Sequence, residues 1–388
     1  MNMKHKPTEI YQGFEQGPIR PPSEANSLLI RVTRNCPWNR CTFCPVYKGS
    51  RFSLRPRDHV IKDIDSVFRS VEIIQRTTRE KGKIPIMEIR KAAGIDHHLD
   101  PRAFSAALTW VAGGMKSVFI QDANSLIIKS PDLVAILTHL KTRFPWIERI
   151  TSYARSHTIA RISDDNLKTI KEAGLNRIHI GLESGSDNVL KMTQKGVTKE
   201  IHIKAGLKVK RAGMELSEYV MPGLGGKTYA REHAVETADA LNRINPDFIR
   251  LRTLALPDSV KLCDDYASGY FEKCTDLMTA EETLLFIESL NGISSVVKSD
   301  HILNLFQNLE GKLPEDKENM LGILRRFLAM TPERRCIYQV GRRLGFFSRM
   351  RDMENPRRLE RAEKARRDFG ITPENVDGMV EQLMKKFI

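Results

Sequence analysis

The sequence predicts an α/β fold built on a parallel sheet. Short apolar, β-branched runs alternate with stretches of helical periodicity over most of residues 28–251. Such alternation favours parallel strands joined by right-handed helical crossovers, and it amounts to at least six βα units. Three of the six cysteines follow the first strand directly. They therefore fall at the carboxyl edge of the sheet, where folds of this class carry their functional loops.

The elements follow one another with little intervening loop. Residues 1–26 are polar and Pro-rich and predict an irregular arm, and the β-branched run at 28–33 predicts the first strand. The later predicted strands are Ser117–Gln121, Arg149–Tyr153, Arg177–Gly181, Glu215–Val220, Asp247–Leu251 and Ser294–Lys298. The predicted helices are Arg57–Gly82, Pro101–Gly113, Pro131–Arg143, Asp164–Ala173, Ile201–Ala212, Tyr229–Asn242 and Thr279–Asn291.

Other segments carry weaker signals. A strand is expected at Ile84–Ile89, within an ambiguous stretch, and a helix is expected to start at Ser299–His301 because serine is a good N-cap. Glu315–Ile388 predicts an all-helical tail rich in arginine. These arginines are expected to be solvated or paired with neighbouring carboxylates, while apolar residues such as Val340 and Phe347 give the tail a face to bury.

Composition narrows the class of protein. The chain has 388 residues, of which 41% are hydrophobic, and no uninterrupted apolar stretch is long enough to span a membrane. The N-terminal segment lacks the apolar core of a secretory signal, so a cytoplasmic location is expected. The net charge of +14 favours an anionic partner, although charge bears on association rather than on fold.

The cysteine loop, residues 34–45, is the most informative motif. Cys36, Cys41 and Cys44 have the spacing C-x4-C-x2-C, and Pro37 and Pro45 keep the loop from becoming one regular helix. Three thiolates on one loop can hold a metal or a cluster. The loop alone leaves open a [2Fe–2S] cluster, a structural zinc, and a [4Fe–4S] cluster with one open iron; disulfides are disfavoured because nothing indicates export.

A closed site would need a fourth ligand from elsewhere in the chain. The remaining cysteines are Cys263, Cys274 and Cys336, and none has the local spacing of a zinc site. The predicted scaffold argues against both closed sites. A plant-type ferredoxin is a small β-rich domain, and a structural zinc would not need to lie at the mouth of a parallel barrel. An open-site cluster at that position would be placed to do chemistry.

Three motifs in order resemble the radical SAM superfamily. They are Cys41-Thr42-Phe43-Cys44, then Ile180-Gly181-Leu182-Glu183-Ser184-Gly185-Ser186 with Lys195-Gly196-Val197-Thr198, and then Tyr219-Val220-Met221-Pro222-Gly223-Leu224-Gly225-Gly226-Lys227-Thr228. The likeness is to the subgroup of oxygen-independent coproporphyrinogen oxidases, the Elongator catalytic subunit and methylthiotransferases. It covers roughly residues 28–256, and the first motif is one residue longer than the usual C-x3-C-x2-C.

The resemblance implies a fold and a division of the chain. The fold would be a partial (βα)6 TIM-like barrel with a helical C-terminal extension. The segments would be an N-terminal arm at 1–26, a radical SAM core at 27–256 and a mostly helical extension at 257–388.

The resemblance also implies cofactors and their ligands. Cys36, Cys41 and Cys44 would bind three irons of a [4Fe–4S] cluster, and the fourth iron would bind S-adenosylmethionine (SAM). Glu183 would accept hydrogen bonds from the ribose, and Lys195 would meet the methionine carboxylate. The alternatives from the residues alone are a first-turn role for Glu183 and a solvated Lys195.

Four further residues belong to the implied SAM site. Phe43 would pack on the adenine, with a plain core aromatic as the alternative. Gln121 and Asp122 follow the second strand, where the superfamily contacts the methionine amino group. Ser152 would line the same cavity, and Gly223 would let the backbone approach the nucleoside, unless its turn is an ordinary strand–helix connection.

The expected function is that of a radical SAM enzyme that acts on an unidentified substrate, and an anionic substrate is one of the candidates. An external one-electron reductant of the flavodoxin or ferredoxin type is the implied partner. The alternatives are an iron–sulfur electron-transfer protein and a basic RNA-binding protein with a structural metal. Nucleic acid is not the favoured partner, because the basic tail lacks the interleaved aromatics of a single-strand platform.

Overall fold

The computed structural model describes residues 9–81 and 99–385, and the strand expected at Ile84–Ile89 lies outside them. The chain forms two compact units. The first comprises Met1–Pro37, Gly49–Ile178 and Ala212–Met214, and the second comprises Trp38–Lys48, His179–Arg211 and Glu215–Ile388. The three-segment division expected from the sequence stays a prediction.

The first unit contains a parallel sheet in the order β1 (Leu28–Arg31), β4 (Ser117–Gln121) and β5 (Arg149–Ala154). Leu28 of β1 pairs with Val118 of β4, and Ser117 of β4 pairs with Arg149 of β5. Its strands and helices are β1 Leu28–Arg31, β2 Thr33–Arg34, β3 Ser53–Leu54, α1 Arg57–Lys81, α2 Pro101–Ala112, β4 Ser117–Gln121, α3 Ser130–Arg143, β5 Arg149–Ala154, α4 Ser156–Ile159 and α5 Asp164–Glu172. The short strands β2 and β3 pair with each other in antiparallel fashion.

An apolar layer between helices holds the first unit together. Trp110 of α2 packs edge-on against Phe144, with ring centroids 4.9 Å apart, and both side chains are buried. The apolar face predicted for α1 is also buried, including Ile64 and Val67. Asp100 caps α2 by accepting hydrogen bonds from the backbone of its first turn.

The described part of the N-terminal arm, residues 9–26, is irregular, as predicted, apart from one 3-10 turn at Pro22–Glu24. It is nevertheless packed within the first unit, since Phe14 is buried and its backbone N–H donates to Asp100 over 2.7 Å. The arm therefore contributes to the core of this unit.

The second unit continues the α/β pattern. Strand β6, Arg177–Glu183, begins in the first unit and enters the second at His179, and it is followed there by parallel strands β7, β8 and β9 and by antiparallel β10. The elements are α6 Asp187–Met192, α7 Lys199–Arg211, β7 Glu215–Val220, α8 Gly226–Ile244, β8 Phe248–Leu251, α9 Lys261–Ala267, α10 Asp276–Ser289, β9 Val296–Lys298, β10 Gly311–Lys312, α11 Lys317–Leu328, α12 Pro332–Arg343, α13 Pro356–Asp368 and α14 Val376–Lys385.

These elements confirm the predicted fold class, which is α/β with mostly parallel strands. The tail is built from helices between Lys317 and Lys385, as predicted. Among the described residues, no helix is both long enough and apolar enough to cross a membrane.

The helix predicted to start at Ser299–His301 is wrong, because residues 299–310 form turns and irregular backbone. The carbonyls of Leu303, Asn304 and Leu305 accept hydrogen bonds from the guanidinium groups of Arg343 and Arg342. Donors from α12 thus satisfy carbonyls that a helix would satisfy with its own backbone, and they override the local N-cap signal.

The same two arginines correct the expectation for the basic tail. Arg342 and Arg343 are only 7% and 5% exposed, and Arg343 also pairs with Asp276 over 2.9 Å. Other tail arginines behave as predicted, since Arg326 pairs with Glu354 and Arg358 with Asp352. Val340 and Phe347 are buried, so the tail does have an apolar face to bury.

Candidate functional site

The cysteine loop turns where two asparagines adopt left-handed backbone. Asn35 has φ of 64° and Asn39 has φ of 45°, a conformation that asparagine tolerates better than most residues. In the first unit the Asn35 side chain donates to the Arg51 carbonyl over 2.6 Å. In the second unit the Asn39 side chain donates to the Tyr47 carbonyl over 2.6 Å. The loop is thus fixed by side-chain contacts in place of regular secondary structure.

Cys41 and Cys44 lie in the second unit at the border of an apolar cluster. Both side chains are half-buried and pack against a cluster that includes Phe43, Val189 and Met221. Lys48 donates from Nζ to the Cys41 carbonyl over 2.9 Å. Two thiols are therefore held at the edge of an apolar surface, which suits thiolates that bind a cluster sheltered from water.

Backbone contacts tie this part of the loop to two other segments of the second unit. The Thr42 N–H donates to the Thr193 carbonyl, and the Leu262 N–H donates to the Thr42 carbonyl, each over 3.0 Å. The Trp38 indole donates to the Gln194 carbonyl over 2.7 Å. A side chain at Gly196 would overlap the Trp38 ring, and Gly196 also has positive φ. The glycine of the Lys195-Gly196 motif is thus required by packing as well as by backbone conformation.

Glu183 and Lys195 form an ion pair beside Phe43. Lys195 Nζ lies 3.0 Å from a Glu183 carboxylate oxygen, and both side chains are 13% exposed. The Lys195 ammonium also lies 5.8 Å from the centroid of the Phe43 ring, within the range of a cation–π contact. The structure thus brings together three residues that the sequence predicted separately, and Phe43 is itself mostly buried.

The absence of a side chain at Gly181 makes room for the Glu183–Lys195 pair. A Cβ atom at Gly181 would overlap the Glu183 carboxylate and lie 3.0 Å from Lys195 Nζ. Glu183 itself has φ of 63°, a strained conformation for a residue with a side chain. Strain of this kind persists only where the surrounding structure enforces it, and it is frequent at functional sites.

Glu218 is a residue that sequence reasoning missed. It lies within β7 beside Ile249 of β8 and is fully buried. Among the described residues neither carboxylate oxygen has a hydrogen-bond partner. Burial raises the pKa of Glu218 well above its usual value, and the Glu183 carboxylate raises it further. The signal in the sequence was a single acidic residue inside a strand, which is costly unless it has a partner or a function.

The Gly-rich turn after β7 begins with a glycine in left-handed backbone. Gly223 has φ of 85°, and its N–H donates to Glu282 over 2.8 Å. Next to it lies a cavity of about 250 Å³ within the second unit, which Thr253, Leu254 and Thr279 also line. The acidic and lysine side chains of its walls are Glu272, Asp276, Asp377, Glu381, Lys227 and Lys273. The cavity lies just past the carboxyl ends of β7 and β8, where ligands bind in parallel folds.

The residues predicted in the first unit make hydrogen bonds within that unit. The Gln121 side chain accepts from the Gly17 N–H over 2.8 Å and donates to the Ile19 carbonyl over 2.6 Å. Asp122 is fully buried and pairs with Arg31 over 2.8 Å. The Ser152 hydroxyl donates to the Ile120 carbonyl. These side chains order the ends of β4 and β5 and the N-terminal arm.

Arg250 and Arg252 alternate at the end of β8. Arg250 pairs with Asp300 over 2.7 Å, so its guanidinium has a structural role within the second unit. His301 is mostly buried, and burial lowers its pKa to about 4, assisted by nearby Arg252. It stays neutral near pH 7 and accepts from the Leu303 N–H at Nδ1.

The cysteine side chains bear on the kind of metal centre that the chain could hold. Among the described residues, no three His, Cys, Asp or Glu side chains are arranged around one metal ion. A [4Fe–4S] cluster makes a different demand, since each thiolate binds its own iron. Cys41 and Cys44 at the apolar border, together with the Glu183–Lys195 pair beside Phe43, fit a cluster with a small polar ligand next to it.

The family model of the radical SAM superfamily matches residues 30–239, more than half of the chain. The protein therefore belongs to the radical SAM superfamily, whose members are enzymes that use a [4Fe–4S] cluster and SAM and need a reductant and a substrate. No curated protein matches the chain.

Three solved structures illustrate the proteins to which this chain is similar. The archaeal Elp3 of Methanocaldococcus infernus, lacking its N-terminus, is 15% identical, with a TM-score of 0.41, 54% of this chain covered and 55% of that chain. Coproporphyrinogen III oxidase (HemN) from Escherichia coli is 15% identical, with a TM-score of 0.43 and coverages of 68% and 52%. The methyltransferase TsrM from Kitasatospora setae is 14% identical, with a TM-score of 0.43 and coverages of 64% and 38%. The matched part thus spans about half the length of these proteins or less.

Proposed function

We propose that this enzyme cleaves SAM reductively and uses the resulting radical to abstract hydrogen from a substrate. The observation that carries the proposal is the grouping, within the second unit, of Glu183, Lys195 and Phe43 around the space left by Gly181. An acceptor, a cation and an aromatic ring are the groups that the ribose, carboxylate and adenine of SAM require.

Cys36, Cys41 and Cys44 are the proposed cluster ligands. When bound and reduced by an external donor, the cluster would supply one electron that breaks the bond between sulfur and C5′ of SAM, giving methionine and a 5′-deoxyadenosyl radical that takes a hydrogen atom from the substrate. The protein's part is to bind, orient and exclude water. The apolar cluster around Phe43 and Met221 serves that exclusion at the side of Cys41 and Cys44.

We propose distinct roles for the two members of the ion pair. Lys195 carries its ammonium 3.0 Å from Glu183, and in the proposed complex it would donate to the methionine carboxylate. Glu183 would accept from the ribose hydroxyls, and its strained backbone aims the carboxylate over Gly181. Gly223 would let the backbone come close to the nucleoside.

Gln121, Asp122 and Ser152 complete the proposed SAM site. Their observed hydrogen bonds fix the ends of β4 and β5, so we propose that they shape the part of the site that receives the methionine amino group. The electron donor is proposed to be of the flavodoxin or ferredoxin type, and the cytoplasm remains the predicted location. The cavity beside Gly223 would admit a small substrate group rather than a macromolecule.

The proposal is tested on the full-length protein reconstituted anaerobically with iron and sulfide. With dithionite and SAM, 5′-deoxyadenosine and methionine should form in equal amounts, measured by liquid chromatography and mass spectrometry. Glu183→Gln should keep the iron content and weaken SAM binding at least tenfold, because it loses an ionised acceptor. Glu215→Gln is the matched control, since Glu215 is exposed on β7.

Two results would favour the alternatives. A protein that holds two irons and transfers electrons without binding SAM would be an iron–sulfur carrier. A protein that holds one zinc and binds RNA in a salt-dependent way would be the basic RNA-binding protein. SAM affinity that Glu183→Gln leaves unchanged would remove Glu183 from the site and leave the cluster proposal standing.

A further inference from the structure

Two fully enclosed titratable side chains lie beneath the loops that follow β6 and β7. His233 of α8 is 1% exposed and Glu282 of α10 is 5% exposed. Neither belongs to a motif that the sequence singled out. Both lie in the second unit and contact the loops that begin at Glu183 and at Met221.

His233 joins the two loops through its two ring nitrogens. Its Nε2 lies 3.0 Å from the Met221 carbonyl oxygen, and because a carbonyl can only accept, Nε2 must carry the hydrogen. Its Nδ1 then accepts from the Ser184 hydroxyl, 2.8 Å away. Burial lowers the pKa of His233 to about 4, so the ring keeps this neutral form near pH 7.

Glu282 holds the start of the Gly-rich turn. One carboxyl oxygen accepts from the Gly223 N–H over 2.8 Å and lies 3.7 Å from His233 Nε2. Burial raises the pKa of Glu282 to about 8, so the group is mostly an uncharged carboxylic acid near pH 7. The hydrogen bond to this buried carboxyl oxygen fixes the orientation of the left-handed Gly223 backbone.

Further hydrogen bonds connect His233 to the segment that contains Glu183. The Ser184 hydroxyl that donates to His233 also accepts from the Ser186 N–H, and the Gly185 N–H donates to Thr237 Oγ1. The Met221 N–H donates to the Glu183 carbonyl over 3.0 Å. The two loops are therefore joined directly to each other and, one layer below, through His233.

We propose that His233 and Glu282 are positioning residues that hold Glu183 and Gly223 in register for SAM. This inference rests on the proposed function, because it assumes that Glu183 and Gly223 contact the cofactor. Neither His233 nor Glu282 touches SAM in this account. Their effect is transmitted through Ser184, Met221 and Gly223, and a small misplacement of such groups is enough to reduce binding and turnover.

The test compares full-length, cluster-reconstituted variants at pH 7. His233→Ala, Ser184→Ala and Glu282→Ala should each raise the Kd for SAM at least tenfold while iron content stays at the wild-type value. Glu282→Gln should restore near-wild-type affinity, since its amide oxygen still accepts from Gly223 and it is uncharged. The matched control is Ile287→Ala, which removes a fully buried side chain from the same helix α10 and should lower Tm without changing the Kd.

Different results separate this inference from the proposed function. Wild-type protein that forms the cluster but binds no SAM would defeat the proposed function itself. Wild-type protein that binds SAM, with Ser184→Ala and Glu282→Ala binding equally well, would overturn only the positioning roles. A Kd that rises in Ile287→Ala as much as in Ser184→Ala would also overturn them, because loss of stability alone would then explain the effect.

Discussion

Replacing Glu282 with Gln should remove a large pH dependence from the stability of this protein. Glu282 is buried, and burial raises its pKa to about 8 from an ordinary value of 4.5. The folded state therefore binds the Glu282 proton more tightly than the unfolded chain does. Gln has nearly the same shape, keeps the acceptor for the Gly223 N–H, and does not titrate.

The sign and size of the effect follow from these two values. Below pH 4.5 both states are protonated, and the full stability is present. Between pH 4.5 and 8 only the folded state keeps the proton, so the free energy of unfolding falls as pH rises. The interval is about 3.5 pKa units at about 1.4 kcal/mol each, so the loss is on the order of 5 kcal/mol by pH 8.

The measurement is urea denaturation of wild type and Glu282→Gln at several pH values from 5 to 9. Other groups titrate in both proteins, and His233 acts in the opposite sense, because its lowered pKa reduces stability as pH falls below 6.5. Taking the difference between the two proteins removes such terms. Wild type should lose several kcal/mol relative to the variant between pH 5 and 8. Parallel pH profiles would refute the account of Glu282 as a buried neutral acid.

Three other substitutions test other parts of the account. Gly181→Ala should weaken SAM binding at least tenfold and leave the iron content unchanged, because its Cβ would overlap the Glu183 carboxylate. Gly322→Ala, whose Cβ meets open space in α11, should leave SAM binding unchanged. Equal SAM affinities in the two variants would contradict the placement of Glu183 in the SAM site. Arg343→Met should lower the free energy of unfolding by about 3–5 kcal/mol, because it removes a buried guanidinium that pairs with Asp276 and donates to the Leu303 carbonyl. Exposed Arg334→Met should change the free energy of unfolding by less than about 0.5 kcal/mol in the same urea titration. Glu218→Leu should stabilise the cluster-free protein by about 1–3 kcal/mol, since it removes a buried carboxyl that has no hydrogen-bond partner in the described part of the chain, and it should slow SAM cleavage. A variant that is less stable and fully active would contradict a functional role for Glu218.

The strands and helices were predictable where the pattern was periodic and local. Strands β4 and β7 have the predicted bounds, and the predicted helices between the strands end within a few residues of the observed ones. The short helices α4, α6 and α9 are not among the predicted ones. The parallel order followed from alternation, because connections of this length favour crossovers. The prediction of a helix at Ser299–His301 was wrong because of hydrogen-bond donors that are distant in the sequence. Arg342 and Arg343 lie some forty residues further along the chain and donate to carbonyls that would accept backbone N–H groups in a helix.

The candidate site was predictable in its motifs but not in its internal contacts. The sequence identified Glu183, Lys195 and Phe43, and the structure adds that they lie against one another. The sequence alone could not identify Glu218, His233 or Glu282, because a single polar residue in an apolar segment has no spacing that indicates its partners. Their importance lies in burial and in hydrogen bonds between distant segments, which only the folded chain reveals.

Iron content across the six cysteines tests the central claim most directly. Each cysteine is replaced singly with Ala in the full-length protein, which is reconstituted anaerobically and analysed for iron, sulfide and 5′-deoxyadenosine formed from SAM. The account predicts about four irons per chain in wild type, and loss of both iron and 5′-deoxyadenosine only for Cys36, Cys41 and Cys44. Loss of the cluster on replacing Cys263, Cys274 or Cys336 would contradict an open iron held by three protein ligands, and with it the proposed mode of SAM binding.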